Sequence, residues 1–130
     1  MRLQPCDDVA VPTTALIVDD HPSFRRLAGK LLEAAGFVVV GEAEDGASAI
    51  TAVRDLRPDV VLLDVLLPDT TGFLVARRLA AEPERPLVVL TSSRSAIDFG
   101  ALVRSEHTSG FIPKRDLTVA SLAAVIGEAG

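Results

Sequence analysis

The sequence predicts an α/β protein: one doubly wound domain of five βα units, with a five-stranded parallel sheet and helices on both faces. Two observations carry this expectation. Five short runs, ALIV (15–18), FVVV (37–40), VVLL (60–63), LVVL (87–90) and the weaker GFI (110–112), are apolar at consecutive positions. Consecutive apolar residues suit strands covered on both faces, as in a parallel sheet. Between the runs the apolar spacing becomes helical, and strands alternating with helices imply parallel pairing through crossovers. A length of 130 residues fits a single domain.

The elements follow in order. Residues 1–12 carry Pro5, Pro12 and an acidic pair without periodicity, and read as a flexible N-terminal tail before a domain at 13–130. After ALIV and Pro22, residues Phe24, Leu27, Ala28, Leu31, Leu32 and Ala35 recur at i, i+3, i+4, i+7, i+8 and i+11. Gly36 stands where a helix-ending glycine belongs. FVVV is the second strand, and 46–57 a helix of lower contrast. VVLL is the third strand, 72–82 the third helix and LVVL the fourth strand. The stretch 94–106 is the weakest helix, because Ile97, Phe99, Ala101, Leu102 and Val103 are poorly segregated. GFI is the fifth strand. Val119, Leu122, Ala123 and Ile126 then mark a last helix.

Composition removes several function classes. Thirteen basic against eighteen acidic residues give a net charge of −5, unlike a chain that binds nucleic acid through a basic face. The single cysteine, Cys6, rules out an intramolecular disulfide and a Cys-rich zinc site. No apolar run approaches the ~20 residues of a membrane span, and the N-terminus lacks the apolar core of a secretory signal. A cytoplasmic location away from membranes is the expectation.

Ligands of doubly wound sheets bind beyond the carboxyl ends of the strands. Asp19, Asp20 and His21 follow the first apolar run, Asp64 the third, Thr91 to Ser93 the fourth, and Pro113 and Lys114 the fifth. On this fold three carboxylates, a hydroxyl and an ammonium converge at one edge. Clustered carboxylates repel unless a cation is present. Mg²⁺ suits one or two carboxylates together with waters and phosphate oxygens. A carboxylate beside such an ion can attack phosphorus, while the metal and Lys114 stabilise charge on the transferring group. A lone aspartate after a strand is usually a turn or capping residue; four such groups at four strand ends are much harder to explain that way.

The segments VDDHPSFRR (18–26), PDVVLLDVLLPDTTG (58–72), VVLTSS (88–93) and GFIPK (110–114) together resemble the receiver domain of bacterial two-component response regulators, closest in look to the LuxR/NarL class. The resemblance covers about residues 13–129 and implies a flavodoxin-like (βα)5 fold. It implies that Asp64 is the phosphoacceptor and that Mg²⁺ is held by Asp20 directly, by Asp19 often through water, by Asp64, and by the backbone carbonyl of Leu66. Thr91 matches the switch hydroxyl, Lys114 the lysine that pairs with the phosphoryl group, and Phe111 the aromatic whose rotamer follows the state. Pro68 and Gly72 match the turn after the acceptor. Departures are Arg115 after Lys114, where many receivers carry proline, Thr71 in place of Asp, Ser92 in place of Ala, and an apolar Leu66.

The implied function is phosphoryl transfer onto Asp64 from a histidine kinase or phosphotransfer protein, followed by a conformational switch controlling a partner or output domain. The domain itself would catalyse its phosphorylation and slow dephosphorylation. Homodimer formation on phosphorylation is a further implied state. A DNA-binding output domain is usual in this class, with no direct nucleic-acid contact by these residues. The rival reading is a receiver-like interaction module that works without phosphate; the intact Asp19, Asp20, Asp64, Thr91 and Lys114 weigh against it. A third reading, a flavodoxin-like cofactor binder or an aspartate-nucleophile phosphatase acting on a small molecule, is opposed by the lack of a Gly-rich phosphate loop and of an aromatic pair for a flavin ring in the sequence. His21 reads as a packing or capping residue, His107 as solvated, and Arg25, Arg26, Arg77, Arg78 and Arg85 as solvated helix surface.

Overall fold

The computed structural model describes residues 13–93 and 108–129. The 1–12 tail with Cys6, the 94–106 helix and His107 lie outside the described residues. Five strands, β1 (Thr14–Val18), β2 (Val38–Ala43), β3 (Val60–Asp64), β4 (Leu87–Ser92) and β5 (Gly110–Pro113), form one sheet. Its order is β2-β1-β3-β4-β5, and every neighbouring pair is parallel. The described helices are α1 (Pro22–Ala34), α2 (Gly46–Leu56), α3 (Gly72–Leu79) and α4 (Val119–Ala129).

Strand side chains alternate between the two faces, and so the core splits in two. Leu16, Val18, Val61, Leu63 and Leu90 face α2 and α3, packing with Ala49, Val53, Val75 and Leu79. Ala15, Ile17, Leu62, Val89 and Ile112 face α1 and α4, packing with Ala28, Leu32, Leu122 and Ile126. Consecutive apolar residues in β1, β3 and β4 are therefore both buried, as the sequence predicts. Removing one central side chain, as in Leu62→Ala, costs about 2–5 kcal/mol on the scale of core truncations.

β2 departs from the expectation. It runs to Ala43 through Gly41 and Glu42, and Val38 is 45% exposed. β2 is the sheet edge, and the pairing of Leu16 to Val18 with Gly41 to Ala43 extends it past the apolar run. α3 stops at Leu79, three residues short of the expected 82, in the turns preceding Pro83. α1 ends as the sequence indicates, with Gly36 at φ 97°.

One glycine bears directly on the functional edge. A Cβ on Gly72 would stand 2.5 Å from the carbonyl oxygen of Asp64 and 3.0 Å from Cα of Val65. The Gly72 N–H donates to the Val65 carbonyl at 2.6 Å, folding the 65–71 loop back against the end of β3. Gly72→Ala must therefore push this backbone apart. The expected loss is about 1–3 kcal/mol, read from the urea midpoint; an unchanged midpoint would contradict the close approach.

Candidate phosphoacceptor and metal site

Strand parity builds the site. Continuing the α1/α4 face one step along each strand leads from Ile17 to Asp19, Leu62 to Asp64, Val89 to Thr91 and Ile112 to Lys114. Asp64 and Thr91 are register partners. β1 and β3 are the adjacent strands from which the sheet order departs in both directions, the switch point where such sheets bind ligands.

Asp19 is fully buried. Its Oδ1 accepts the His21 backbone N–H at 2.8 Å, and Lys114 Nζ lies 2.6 Å from its Oδ2. Asp64 is also buried; its Oδ2 lies 3.2 Å from Lys114 Nζ and its Oδ1 accepts the Leu66 N–H at 3.2 Å. One ammonium thus serves two carboxylates. Burial works against ionisation of Asp19, but Lys114 and the His21 N–H outweigh it and hold the carboxyl below its ordinary range. Asp64 goes the other way. Burial, together with the charge of Asp19 and despite Lys114, pushes it up to about 6. Burial also opposes the charge on Lys114, yet its two carboxylate partners raise its pKa.

Polar atoms remain unsatisfied at this edge. Asp19 Oδ2, Asp20 Oδ1 and Thr91 Oγ1 are buried without an aligned hydrogen-bond partner among the described residues. The Lys114 contact to Asp19 is a charge contact, and His21 Nδ1 approaches Asp20 Oδ1 to 3.1 Å; both lie outside good hydrogen-bond alignment. Ligand atoms of Asp19, Asp20, His21 and Asp64 all fall within 4.8 Å of one another. Three carboxylates with free oxygen lone pairs, one flank open to solvent at Asp20, suit a hard divalent cation that keeps several waters.

The structure brings most of the residues singled out in the sequence together at this edge, and adds others. Asp19, Asp64, Thr91 and Lys114 come together as expected, with Asp20 at the rim. Leu66 supplies its N–H to Asp64, and its side chain is 47% exposed. Phe111 is half-buried and packs on the α2/α3 face, opposite Thr91. His21 occupies the N-cap position of α1, its carbonyl accepting from Arg25 N, but its side chain makes no capping hydrogen bond: it is 64% exposed and turns Nδ1 toward Asp19 Oδ1 at 3.0 Å. Phe24, read only as part of a helical stripe, lies under the lysine, with Lys114 Nζ 4.4 Å from its ring centroid. Arg25, read as solvated surface, is only 18% exposed and reaches the Asp19 carbonyl. No pattern in the sequence marks either contact, since both depend on how α1 lies across the sheet. Arg26, Arg77, Arg78 and Arg85 are exposed as expected. Thr71 caps α3, its Oγ1 accepting from Leu74 N at 3.3 Å, which accounts for a residue that departs from the family pattern. Asp69 accepts from Gly46 N and Ala47 N and ties the 65–71 loop to the start of α2.

Comparison with known proteins agrees with this architecture. The response regulator receiver domain family matches residues 15–125. The DNA-binding response regulator MtrA of Mycolicibacterium smegmatis is 45% identical over 85 residues, 64% of this chain and 36% of that protein. A putative transcriptional regulator of Pseudomonas aeruginosa is 34% identical over 116 residues, 86% of this chain and 56% of its own length. The chain therefore spans about a third to just over half of these relatives. Among solved structures, a receiver domain from Methylobacillus flagellatus superposes with a TM-score of 0.81 at 26% identity, covering 92% of this chain and all of the other. The receiver domain of the putative response regulator NarL from Mycobacterium tuberculosis gives 0.74 at 30% identity, covering 89% and 98%. The fold is that of a doubly wound receiver. The chain belongs to the response regulator receiver family of two-component signalling, in which an aspartate-based phosphorylation switch is the standard role.

The raised pKa of Asp64 has a consequence for the metal-free protein. In the unfolded chain the group titrates near 3.8, so its ionisation disfavours the folded state, fully above pH 6 and not below about 4. Asp64→Asn should therefore stabilise the protein in EDTA by about 1–3 kcal/mol at pH 7.5. The advantage should shrink toward pH 4.5, where wild-type Asp64 takes up its proton. Thermal melts at both pH values check this; a stabilisation equal at the two would contradict it.

Proposed function

We propose that this domain accepts a phosphoryl group on Asp64, with Mg²⁺ held by Asp20, Asp19, Asp64 and the Leu66 carbonyl, and that the phosphorylated form acts as a switch. The observation that supports it most is the buried Asp64 bracketed by the Lys114 ammonium and by the Thr91 hydroxyl of its register-paired strand, which among the described residues has no hydrogen-bond partner. An Asp64 oxygen attacks phosphorus of a phosphohistidine. The new O–P bond forms as the N–P bond breaks, and the imidazole leaves with the bonding electron pair. When bound, the metal neutralises charge on the carboxylates and on the phosphoryl oxygens. Lys114 moves from bridging two carboxylates to pairing with the phosphoryl group, and Thr91 satisfies its hydroxyl on a phosphoryl oxygen. Phe111 lies across the sheet on the neighbouring strand, so displacement of Thr91 reaches it through the backbone of β4 and β5. A histidine kinase or phosphotransfer protein is the donor in this reading. Residues 13–130 act as the receiver, and residues 1–12 as an appended tail. The partners in this reading are an output domain, as the names of two relatives, a DNA-binding response regulator and a putative transcriptional regulator, suggest, and a second copy of the chain after phosphorylation. The expected location is the cytoplasm; among the described residues no helix is long and apolar enough to cross a membrane.

Incubation with acetyl phosphate and Mg²⁺ should add one hydroxylamine-labile phosphoryl group to the wild-type chain and none to Asp64→Asn. An adduct retained on that variant would move the acceptor elsewhere. A wild-type chain that stays unmodified would instead favour an interaction module working without phosphate.

Leu66 bears on the lifetime of the phospho form. Hydrolysis needs a water in line with phosphorus, opposite the Asp64 oxygen. The Leu66 side chain cannot orient such a water, and its apolar bulk screens the approach. Leu66→Asn should speed decay about 3- to 10-fold, a barrier change of only ~0.7–1.4 kcal/mol, without preventing formation. Equal lifetimes at saturating Mg²⁺, or a slower variant, would defeat the shielding.

A further inference from the structure

We infer that Arg25, braced by Glu42, is a positioning residue that sets the direction of the metal-binding carboxylate of Asp20 by fixing the peptide between Asp19 and Asp20. The inference rests on the Mg²⁺-dependent reading above. Arg25 sits in the first turn of α1, its own N–H donating to the His21 carbonyl at 3.1 Å. Its Nη1 donates to the Asp19 carbonyl oxygen at 2.6 Å, and its Nε to Glu42 Oε1 at 2.7 Å. Glu42 belongs to β2, next to Ala43, whose carbonyl accepts the Asp19 N–H at 3.0 Å. The Asp19 backbone is thus held on both sides. Its N–H is tied to the edge strand, and its C=O to a guanidinium that is itself tied to the same strand.

The geometry matters because a peptide unit is planar. The Asp19 carbonyl and the Asp20 N–H lie in one plane, so anchoring the carbonyl fixes the plane from which the Asp20 Cα–Cβ bond departs. Asp19 itself needs little help, being buried and gripped by Lys114 and the His21 N–H. Asp20 has no such grip: its side chain is about one-third exposed, with one oxygen buried and unaligned with any donor. Its aim therefore depends on the backbone. Arg25 suits the task through its planar fork, which makes two differently directed contacts at once; a lysine ammonium on a flexible stem reproduces one of them. A guanidinium present only as solvated surface charge would be exposed, as Arg26 is, and would leave the Asp19 carbonyl free.

The test uses the full metal-free chain, with Mg²⁺ alone titrated and followed through backbone amide NMR shifts at 19, 20 and 43. Arg25→Ala should weaken Mg²⁺ binding about 10-fold, as loss of a group that orients a metal ligand does. Arg25→Lys should recover part of that loss. Glu42→Gln, which keeps an oxygen acceptor for Nε, should bind within about 2-fold of wild type by the same reasoning. The rate of modification by acetyl phosphate at saturating Mg²⁺ should be nearly unchanged in Arg25→Ala, because Asp64, Lys114 and Thr91 remain. A lower melting temperature with unchanged Mg²⁺ affinity would reduce Arg25 to a structural ion pair and overturn the inference. So would a lowered maximal rate at unchanged affinity. Should Arg25→Ala not fold, Arg25→Lys and Glu42→Ala decide the matter by the same measurement, and wild-type affinity in both overturns it. Wild-type binding of Mg²⁺ without adduct formation would defeat the phosphoryl-acceptor reading while leaving the Arg25 result to the titration. Absence of Mg²⁺ binding by the wild type would overturn both.

Discussion

The functional edge depends on one ammonium. Lys114 lies between the buried carboxylates of Asp19 and Asp64, 2.6 and 3.2 Å from them. Two anions this close, out of water, cannot both ionise without a cation. A single lysine satisfies one and leaves the other under-compensated, and the opposite shifts of Asp19 and Asp64 express that imbalance. The edge is consequently held together without metal, but with charge to spare. The acidic cluster at this edge could therefore hold a metal ion.

The rest of the molecule gives this arrangement its stiffness. Each of the four central groups continues a strand whose preceding residues are locked in a two-sided core, so the groups inherit their position from the sheet. The surrounding loops are tied down in turn. Gly72 closes the loop after Asp64 against β3, Asp69 pins that loop to the start of α2, and Arg25 pins the loop after β1 to β2. Rigid strands thus set where the carboxylates stand, and loop contacts set where they aim. This is the division of labour expected where binding groups sit on loops of a firm scaffold.

The face on which each group stands also shapes what a switch in this domain must do. Thr91 lies on the α1/α4 face and Phe111 on the α2/α3 face of the adjoining strand. The paired backbones of β4 and β5 join the two strands that carry them. Among the described residues the buried Thr91 hydroxyl has no hydrogen-bond partner, a cost that in the proposed switch a phosphoryl oxygen would relieve.

Much of this was legible in the sequence because strand-end chemistry is local. An apolar run buried on both faces announces its own boundaries, and the residues that follow such a run lie near the sheet edge; Asp19, Asp64 and Thr91 follow from that once the strands are parallel, and Lys114 stands second after the fifth run. α1 and its glycine terminator were readable for the same reason, since helical spacing and a positive-φ ending are properties of neighbouring residues. The extension of β2 through Gly41 and Glu42 was not, because an edge strand is defined by its partner and not by its hydrophobicity. Nor were the contacts of Phe24 beneath Lys114, of Arg25 with Glu42 and the Asp19 carbonyl, or of Asp69 with α2. Apart from the short reach of Arg25 to the Asp19 carbonyl, those joins cross between positions 17 to 90 apart in the chain. The sequence by itself determined which chemical groups gather at the edge. Only the tertiary structure decided how they are aimed and shared, since the direction of a side chain is set by whichever distant backbone packs against it.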